Sequence, residues 1–337
     1  MQAAIDTAAP AWAPQRLRGV RLSAPPRAGA LTWGLGGCLP LPLLGGGPTI
    51  DLLLDPQGLR SGRSGPVQWW RSGDWAFGKL DLPDGAEGLA EAAQQAYGAL
   101  FQALHDSGCP HPLRLWNYLP RINADGGGLE RYRQFNIGRQ QAFLDAGRPA
   151  FEGAPAACAV GRPDGGLSLR FLAGTRAPRP LENPRQVPAW RYSARFGPRS
   201  PTFSRAALVP MTAGRLAMWV SGTASIVGEA SCHAGDLKAQ VIETVSNLQA
   251  LLAAAHSAAL APGLRRETSN PPARPFELQD LSYTMYLRHT GDAAAARTHF
   301  AHALGTEPDC VQLQADICRA ELLVEIEAHG VAIGALA

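Results

Sequence analysis

Twice along this chain the same order of segments occurs: a strand-like apolar run, a long amphipathic stretch, a second strand-like run and a second helical stretch. That repetition restricts the fold more than any single motif does. In the first pass, short apolar runs between 31 and 82 (LTWGLGG, TIDLLLD, VQWWRSGDWAFGKLDL) alternate with Gly/Pro turns, the pattern of strands and hairpins. Residues 85–107 then carry Leu89, Ala93, Ala96, Leu100, Phe101 and Leu104 at helical spacing. LRLWNYLP reads as a strand, and LERYRQFNIGRQQAFLDAG as a helix stopped by Gly147. In the second pass, RLAMWVSGTAS reads as a strand running into a Gly turn. Residues 235–257 form an amphipathic helix with the stripe Leu237, Val241, Val245, Leu248 and Leu252. FELQDLSYTMYLRHT reads as a strand, DAAAARTHFAHALG as a helix with Asp292 as N-cap, and VQLQADI and LLVEIEA finish the chain.

The expected class is therefore α/β (α+β): two related units, each a mixed sheet with helices packed on one face. At 337 residues there is room for both to have a core. The expected divisions are an extended Ala/Pro/Arg-rich arm over 1–30, a first half over 31–174, a connecting segment over 175–206 and a second half over 207–337. The stretch from Thr175 to Pro201 holds too much proline for a helix or a central strand. It and the residues just after it carry Trp190, Tyr192, Arg195, Phe196, Arg199, Phe203 and Arg205, which mark a functional irregular segment rather than a bare linker.

Composition excludes several classes. The formal net charge is +3 and the basic residues are scattered, so no nucleic-acid partner is expected. The longest apolar stretches, Leu39 to Gly47 and Leu248 to Leu260, are broken by Pro, Gly, Gln and His, so no membrane span is expected. The N-terminus has no secretory pattern, and the six cysteines (38, 109, 158, 232, 310, 318) are dispersed, without CxxC or Cys/His spacing. These features predict a cytoplasmic protein without disulfide framework or structural zinc. SGTASIVG lacks the spacing of a dinucleotide loop and no metal triad is visible, so no cofactor and no metal are expected.

The last strand holds the candidate chemistry. Strand alternation puts Glu325 and Glu327 on one face and Val324, Ile326 and Ala328 on the other. A carboxyl on a buried strand has a raised pKa and serves as a proton donor near neutral pH. Glu327 beside it raises that pKa further if both are buried. The alternative reading is that the two acids form the wet face of an edge strand.

Six segments carry a resemblance to a known family: WNYLPRIN (116–123), GLERYRQFNIGR (128–139), FGPRSPTFSRA (196–206), SGTASIVG (221–228), HAGDLKAQVIETVSNL (233–248) and CRAELLVEIEA (318–328). The second unit resembles the YjgF-like, or reactive-intermediate deaminase, superfamily. The whole chain resembles the chorismatase family, which implies two YjgF/chorismate-mutase-like units and cleavage of the enolpyruvyl ether of chorismate with release of pyruvate. Deaminases hold a substrate carboxylate with an arginine on the strand before the terminal glutamate. This chain has Cys310 there, which puts imine hydrolysis in doubt.

Glu325 matches the family's catalytic glutamate, the group that would protonate the enolpyruvyl methylene. Tyr132 and Arg139 match its motif and lie seven apart, on one helix face. A dianionic substrate needs fixed cations, and the guanidinium fork suits carboxylates. Arg139 is therefore expected as a carboxylate clamp, with Arg205 and Tyr192 as further candidates. The alternative for the helix arginines is an exposed, salt-bridged surface. In SGTAS, Gly222 and Thr223 are expected near the ligand, against an ordinary turn as the alternative. In the family, a cysteine seven residues before the glutamate accompanies 3-hydroxybenzoate formation, and Cys318 occupies that position. Either the chain turns between Arg319 and Glu321, bringing Cys318 to the catalytic face, or Cys318 is a packing residue. His233 is expected in a local turn, and Trp69, Trp70 and Trp116 in the core. The product is expected to be 3-hydroxybenzoate, with or without 4-hydroxybenzoate. Alternatives are hydrolysis to a dihydrodiol, an imine or enamine deaminase, and a non-catalytic sensor. A monomer and a homotrimer are both compatible with the sequence.

Overall fold

Two sheets lie back to back, each with its own pair of helices on the outer face, so the layers run helix, sheet, sheet, helix. This architecture comes from a computed structural model, which describes residues 31–33, 37–39, 41–46, 49–50, 58–83, 88–211, 215–261 and 276–333. The arm expected over 1–30 lies outside the described residues.

Strands β1 (Leu31–Trp33), β2 (Gly37–Leu39), β3 (Leu43–Gly45) and β4 (Thr49–Ile50) are short, and β1, β2 and β4 form a small sheet of their own. Next come β5 (Arg60–Ser64), β6 (Val67–Ser72), β7 (Trp75–Asp81), α1 (Leu89–Ser107), β8 (His111–Pro120), α2 (Arg131–Asp145), β9 (Ala156–Arg162) and β10 (Ser168–Gly174). Their six strands pair in the order β5-β6-β7-β10-β8-β9. The second pass gives β11 (Arg179–Leu181), β12 (Ala206–Pro210), β13 (Arg215–Thr223), α3 (Leu237–Ala259), β16 (Ser282–Leu287), α4 (Ala293–Leu304), β17 (Asp309–Gln314) and β18 (Val324–Ile333). A two-stranded ribbon, β14 (Ile226–Val227) and β15 (Ala230–Ser231), precedes α3. The second sheet runs β11-β12-β13-β18-β16-β17-β3.

The two strand orders are the same pattern used twice. In each, one parallel pair (β8–β9, β16–β17) is bridged by a crossover helix, and the strand that follows inserts beside it. The second sheet takes one edge strand, β3, from the region before the first sheet.

Three apolar clusters fill the layers. Leu100, Leu104, Phe135 and Phe143 cover the first sheet, and Val241, Leu248, Leu252 and Phe300 cover the second. The third lies between the sheets and includes Phe77, Trp116, Tyr118, Val160, Leu172, Trp219 and Tyr286. Strand β18 is central, between β13 and β16, and buries Val324, Ile326 and Ala328 under α3 while Glu325 and Glu327 face the other sheet. The edge-strand reading of these acids is therefore wrong: Glu325 is 4 % exposed and Glu327 5 %.

Some local details differ from expectation. FELQDL is a short 3-10 turn, Leu278–Asp280, ahead of β16 rather than part of it. Asp292 occupies the N-cap of α4 without a side-chain capping bond, because a preceding 3-10 turn leaves it in the right-handed helical region instead of the extended one. Strand β11 carries Pro180 and sits at a sheet edge, where a missing donor is tolerated.

Helices α1 and α2 touch most closely at Gly138, where an added Cβ would overlap the Ala90 carbonyl oxygen. Backbone yields less than side chain, so Gly138→Ala should destabilise the fold by about 1–2 kcal/mol, despite a helix-propensity gain of roughly 1 kcal/mol. Urea unfolding at unchanged m-value tests this.

Candidate active site

At one end of the sheet–sheet interface the layers separate around a cavity of about 520 Å³. Strand β18 contributes Glu325, β9 contributes Cys158 and β13 contributes Gly222. Helix α2 adds Tyr132, Arg133 and Arg139, and the connecting segment adds Tyr192, Arg195, Phe196, Phe203 and Arg205. The segment before β18 adds Cys318 and Arg319. Both halves of one chain thus build the walls.

Glu325 is the central group. Its Oε1 is buried without a hydrogen-bond partner. Burial, reinforced by the charge of Glu327, pushes its carboxyl up to about 8, while Arg114 and Arg205 pull it down. Gly222 lies directly against it. A Cβ at that position would overlap Glu325 Oε1, so only glycine leaves the carboxyl its place.

Glu327, two residues on, is treated differently. It forms a buried ion pair with Arg114 and accepts hydrogen bonds at Oε1 from Trp116 Nε1 (3.1 Å) and Tyr286 Oη (3.1 Å). Tyr118 lies 3.4 Å from Tyr286, hydroxyl to hydroxyl. Arg114 and Trp116 reach Glu327 from the first sheet, because they stand two apart on β8 and so share its interface face.

Two guanidinium groups line the same cavity as Glu325 with spare donors. Arg139, 2 % exposed, packs over Tyr97, Phe135 and Phe143, and its Nε and Nη2 have no partner. Arg205 donates from Nη2 to Val187 O (2.9 Å) and Tyr192 Oη (2.7 Å), and its Nε is unpartnered. Buried donors without acceptors are costly, and a bound carboxylate would satisfy them. The salt-bridged-surface reading of Arg139 is excluded by its burial. Arg133, on the same helix, does pair with Glu130 at 3.2 Å.

Cys318 immediately precedes a turn closed by the Leu322 N–H to Arg319 O bond, and it lines the same cavity as Glu325 despite the odd spacing. Arg288 fixes the turn by donating to the carbonyls of Ile317, Arg319 and Leu322, and Gln240 Nε2 donates to that of Glu321. Burial, with Glu325 nearby, pushes the Cys318 thiol up to about 12, so it is a neutral thiol rather than a nucleophile.

Seven of the eight residues expected from the sequence line the cavity: Glu325, Cys318, Arg139, Tyr132, Tyr192, Arg205 and Gly222. Thr223 does not. Its hydroxyl donates back to Ser221 O (3.0 Å), where the ladder to β18 loses register, and it is absent from the wall. His233 sits in a turn with φ 61° before α3, outside the cavity. Trp116 is a core residue, as expected, but also a ligand of Glu327. Cys158 and the Arg114 brace were not anticipated. An arginine inside the apolar run LRLWNYL was a usable signal, but its partner lies 213 residues away. Among the described residues, no cluster of His, Cys, Asp or Glu suits a metal ion, and no helix is long and apolar enough to cross a membrane.

Glu325 keeps its proton on folding, so its contribution to stability is present at low pH and lost as pH rises toward 8. Glu325→Gln cannot ionise. Its stability relative to the parent should therefore rise between pH 5 and pH 8, by up to a few kcal/mol. Thermal unfolding of both proteins across that range checks this.

Residues 51–173 match a family model described as "Chorismatase FkbO/Hyg5-like, N-terminal". A 3-hydroxybenzoate synthase of Streptomyces hygroscopicus is 36% identical over 246 residues, covering 70% of this chain and 68% of that protein. A chorismatase of Streptomyces rapamycinicus is 36% identical over 271 residues, covering 79% and 78%. A chorismatase crystal structure superposes with a TM-score of 0.70 at 31% identity, covering 80% of this chain and 78% of that one. With these relatives matched across both halves of the fold, the chain belongs to the chorismatase family.

Proposed function

We propose that this protein cleaves chorismate, releasing pyruvate and 3-hydroxybenzoate, with Glu325 as the general acid. The observation that carries the reading is a buried carboxyl with a raised pKa, set in a cavity whose opposite wall holds the unpartnered donors of Arg139 and Arg205. The domain reading belongs with it: two YjgF-like halves, over 31–174 and 207–337, joined by a 175–206 segment that closes the site.

Chorismate carries two carboxylates, a ring hydroxyl and an electron-rich enol ether. A cavity of about 520 Å³ falls within the usual range for such ligands. Arg139, caged by three aromatic rings, holds one carboxylate, and Arg205 with Tyr192 contacts the other end. Glu325 then gives its proton to the terminal methylene carbon, producing an oxocarbenium-like centre and a glutamate carboxylate beside it. That new negative charge stabilises the cation in a water-poor site. Chorismate and the sum of hydroxybenzoate and pyruvate have the same atoms and electrons, so the overall change consumes no water and no oxidant. The 3-hydroxy product is favoured by Cys318 in the wall beside Glu325 and by the name of the Streptomyces hygroscopicus relative.

A lactate-dehydrogenase-coupled assay with chorismate tests the reading. Glu325→Gln should release no pyruvate while remaining folded, and turnover near the parental rate would refute the assignment. Arg139→Ala should lower kcat/KM by about 10²-fold or more. For the parent, kcat/KM should fall as pH rises past about 8, because the acid must carry its proton. Chromatography should recover 3-hydroxybenzoate. A dihydrodiol in its place would overturn the product while leaving the acid in place.

A further inference from the structure

The catalytic reading uses one of the two carboxyls on the inner face of β18. The other, Glu327, is outside the cavity wall yet has the most elaborate surroundings in the sheet interface. Arg114 and Trp116 come to it from β8, Tyr286 from β16, and the Cys158 thiol lies beside it from β9. Arg114 is 1 % exposed. A buried ion pair of this kind is a poor source of stability, since the cost of removing two charges from water consumes most of their attraction. An apolar pair would fill the same space between two sheets of Trp, Tyr, Val and Leu.

We propose that Glu327, held in place by Arg114, Trp116 and Tyr286, is a positioning residue for the reaction: its fixed negative charge, two residues along the same strand face, keeps the proton on Glu325. This rests on Glu325 being the acid. Arg114 stands beyond Glu327 on β8, Arg205 on the connecting segment, Cys158 on β9 and Cys318 ahead of the turn into β18. The cavity in front of Glu325 also holds Arg133, Arg139 and Arg319 and the carboxyls of Glu130 and Glu321. Both thiols are neutral, held up by burial. Arg114 and Arg205 favour ionisation of Glu325, and Glu327 opposes them. Its influence exceeds that of Arg114, so the pair, though neutral overall, acts on Glu325 as a net negative charge. Arg114 gives Glu327 a buried counter-ion, and the two hydrogen bonds to Oε1 stop the carboxylate from turning away. The first half of the chain thereby sets the working pH of an acid carried by the second half.

The test is the pH dependence of kcat/KM for pyruvate release from chorismate, which reports groups of the free enzyme. Glu327→Gln leaves Arg114 uncompensated, and its alkaline limb should move about one pH unit or more toward acid. Glu327→Asp restores the charge and should bring the limb back toward the parent. Should Glu327→Gln fold poorly, the double variant Arg114→Met/Glu327→Met replaces the pair by apolar groups, and its limb should also move toward acid, by less. A purely structural role lowers rates uniformly and moves no limb. Limbs that coincide with the parent's in Glu327→Gln or the double variant, with Glu325→Gln inactive, would overturn this inference alone. An active Glu325→Gln would instead overturn the acid assignment on which it rests.

Discussion

Burying two carboxyls side by side between two sheets is tolerable only if their charges are dealt with separately. Strand β18 does this by giving one acid a cation and leaving the other its proton. Glu327 has Arg114, and Glu325 has, among the described residues, no ion pair and an unpartnered oxygen. The alternation of the strand makes this arrangement unavoidable once the sheets stack, because side chains two apart share a face. The sheet stack thus does more than bury apolar surface. It removes water from a pair of acids, and burial together with the charge of Glu327 holds the Glu325 carboxyl up.

The same stacking explains where the cavity lies. Trp116 and Trp219 fill the middle of the interface edge to face, at 6.3 Å between rings. Toward the Gly222 end the side chains become small, with Gly222, Ala157, Cys158 and Ala224, and the layers part. Glycine at 222 is required by the approach of Glu325, and the small neighbours widen the space in front of it. The buried carboxyl and the cavity are therefore products of the same packing choice.

The connecting segment closes this space from outside. Ser193 donates to Glu229 through its N–H (2.9 Å) and its hydroxyl (2.8 Å), and Arg195 pairs with the same carboxylate at 3.4 Å. Arg319 lies over Phe196 at 4.0 Å and donates to Glu229 O (2.9 Å) and Ser231 Oγ (3.0 Å). The stretch from Pro188 to Phe203, with only two short 3-10 turns of its own, is held by these contacts to the β14–β15 ribbon and the turn after Cys318. Its arginines and aromatics pair with one another, which is why it has a definite shape without a helix or sheet.

Periodicity and punctuation made the repeated strand and helix order, the helix faces and the sharing of one strand face by Glu325 and Glu327 legible in the sequence, because these depend on contacts within one element. The resemblance then singled out seven residues that do meet at one cavity. Thr223 escaped this reading, since a hydroxyl that bonds back to its own strand looks the same in sequence as one facing a ligand. What the sequence could not give is every relation between elements: that β18 is central and not an edge, that Cys318 turns back to Glu325, and that Arg114 meets Glu327. The first and last depend on how strands pair and two sheets stack, with Arg114 and Glu327 213 residues apart, and no local pattern encodes a contact of that range; the turn after Cys318 depends on Arg288 and Gln240, which hold it from other elements. The chain by itself determined which groups are acids and which way they point; only the tertiary structure decided which of the two acids lost its charge, because that is settled by burial and by the cation the other sheet supplies.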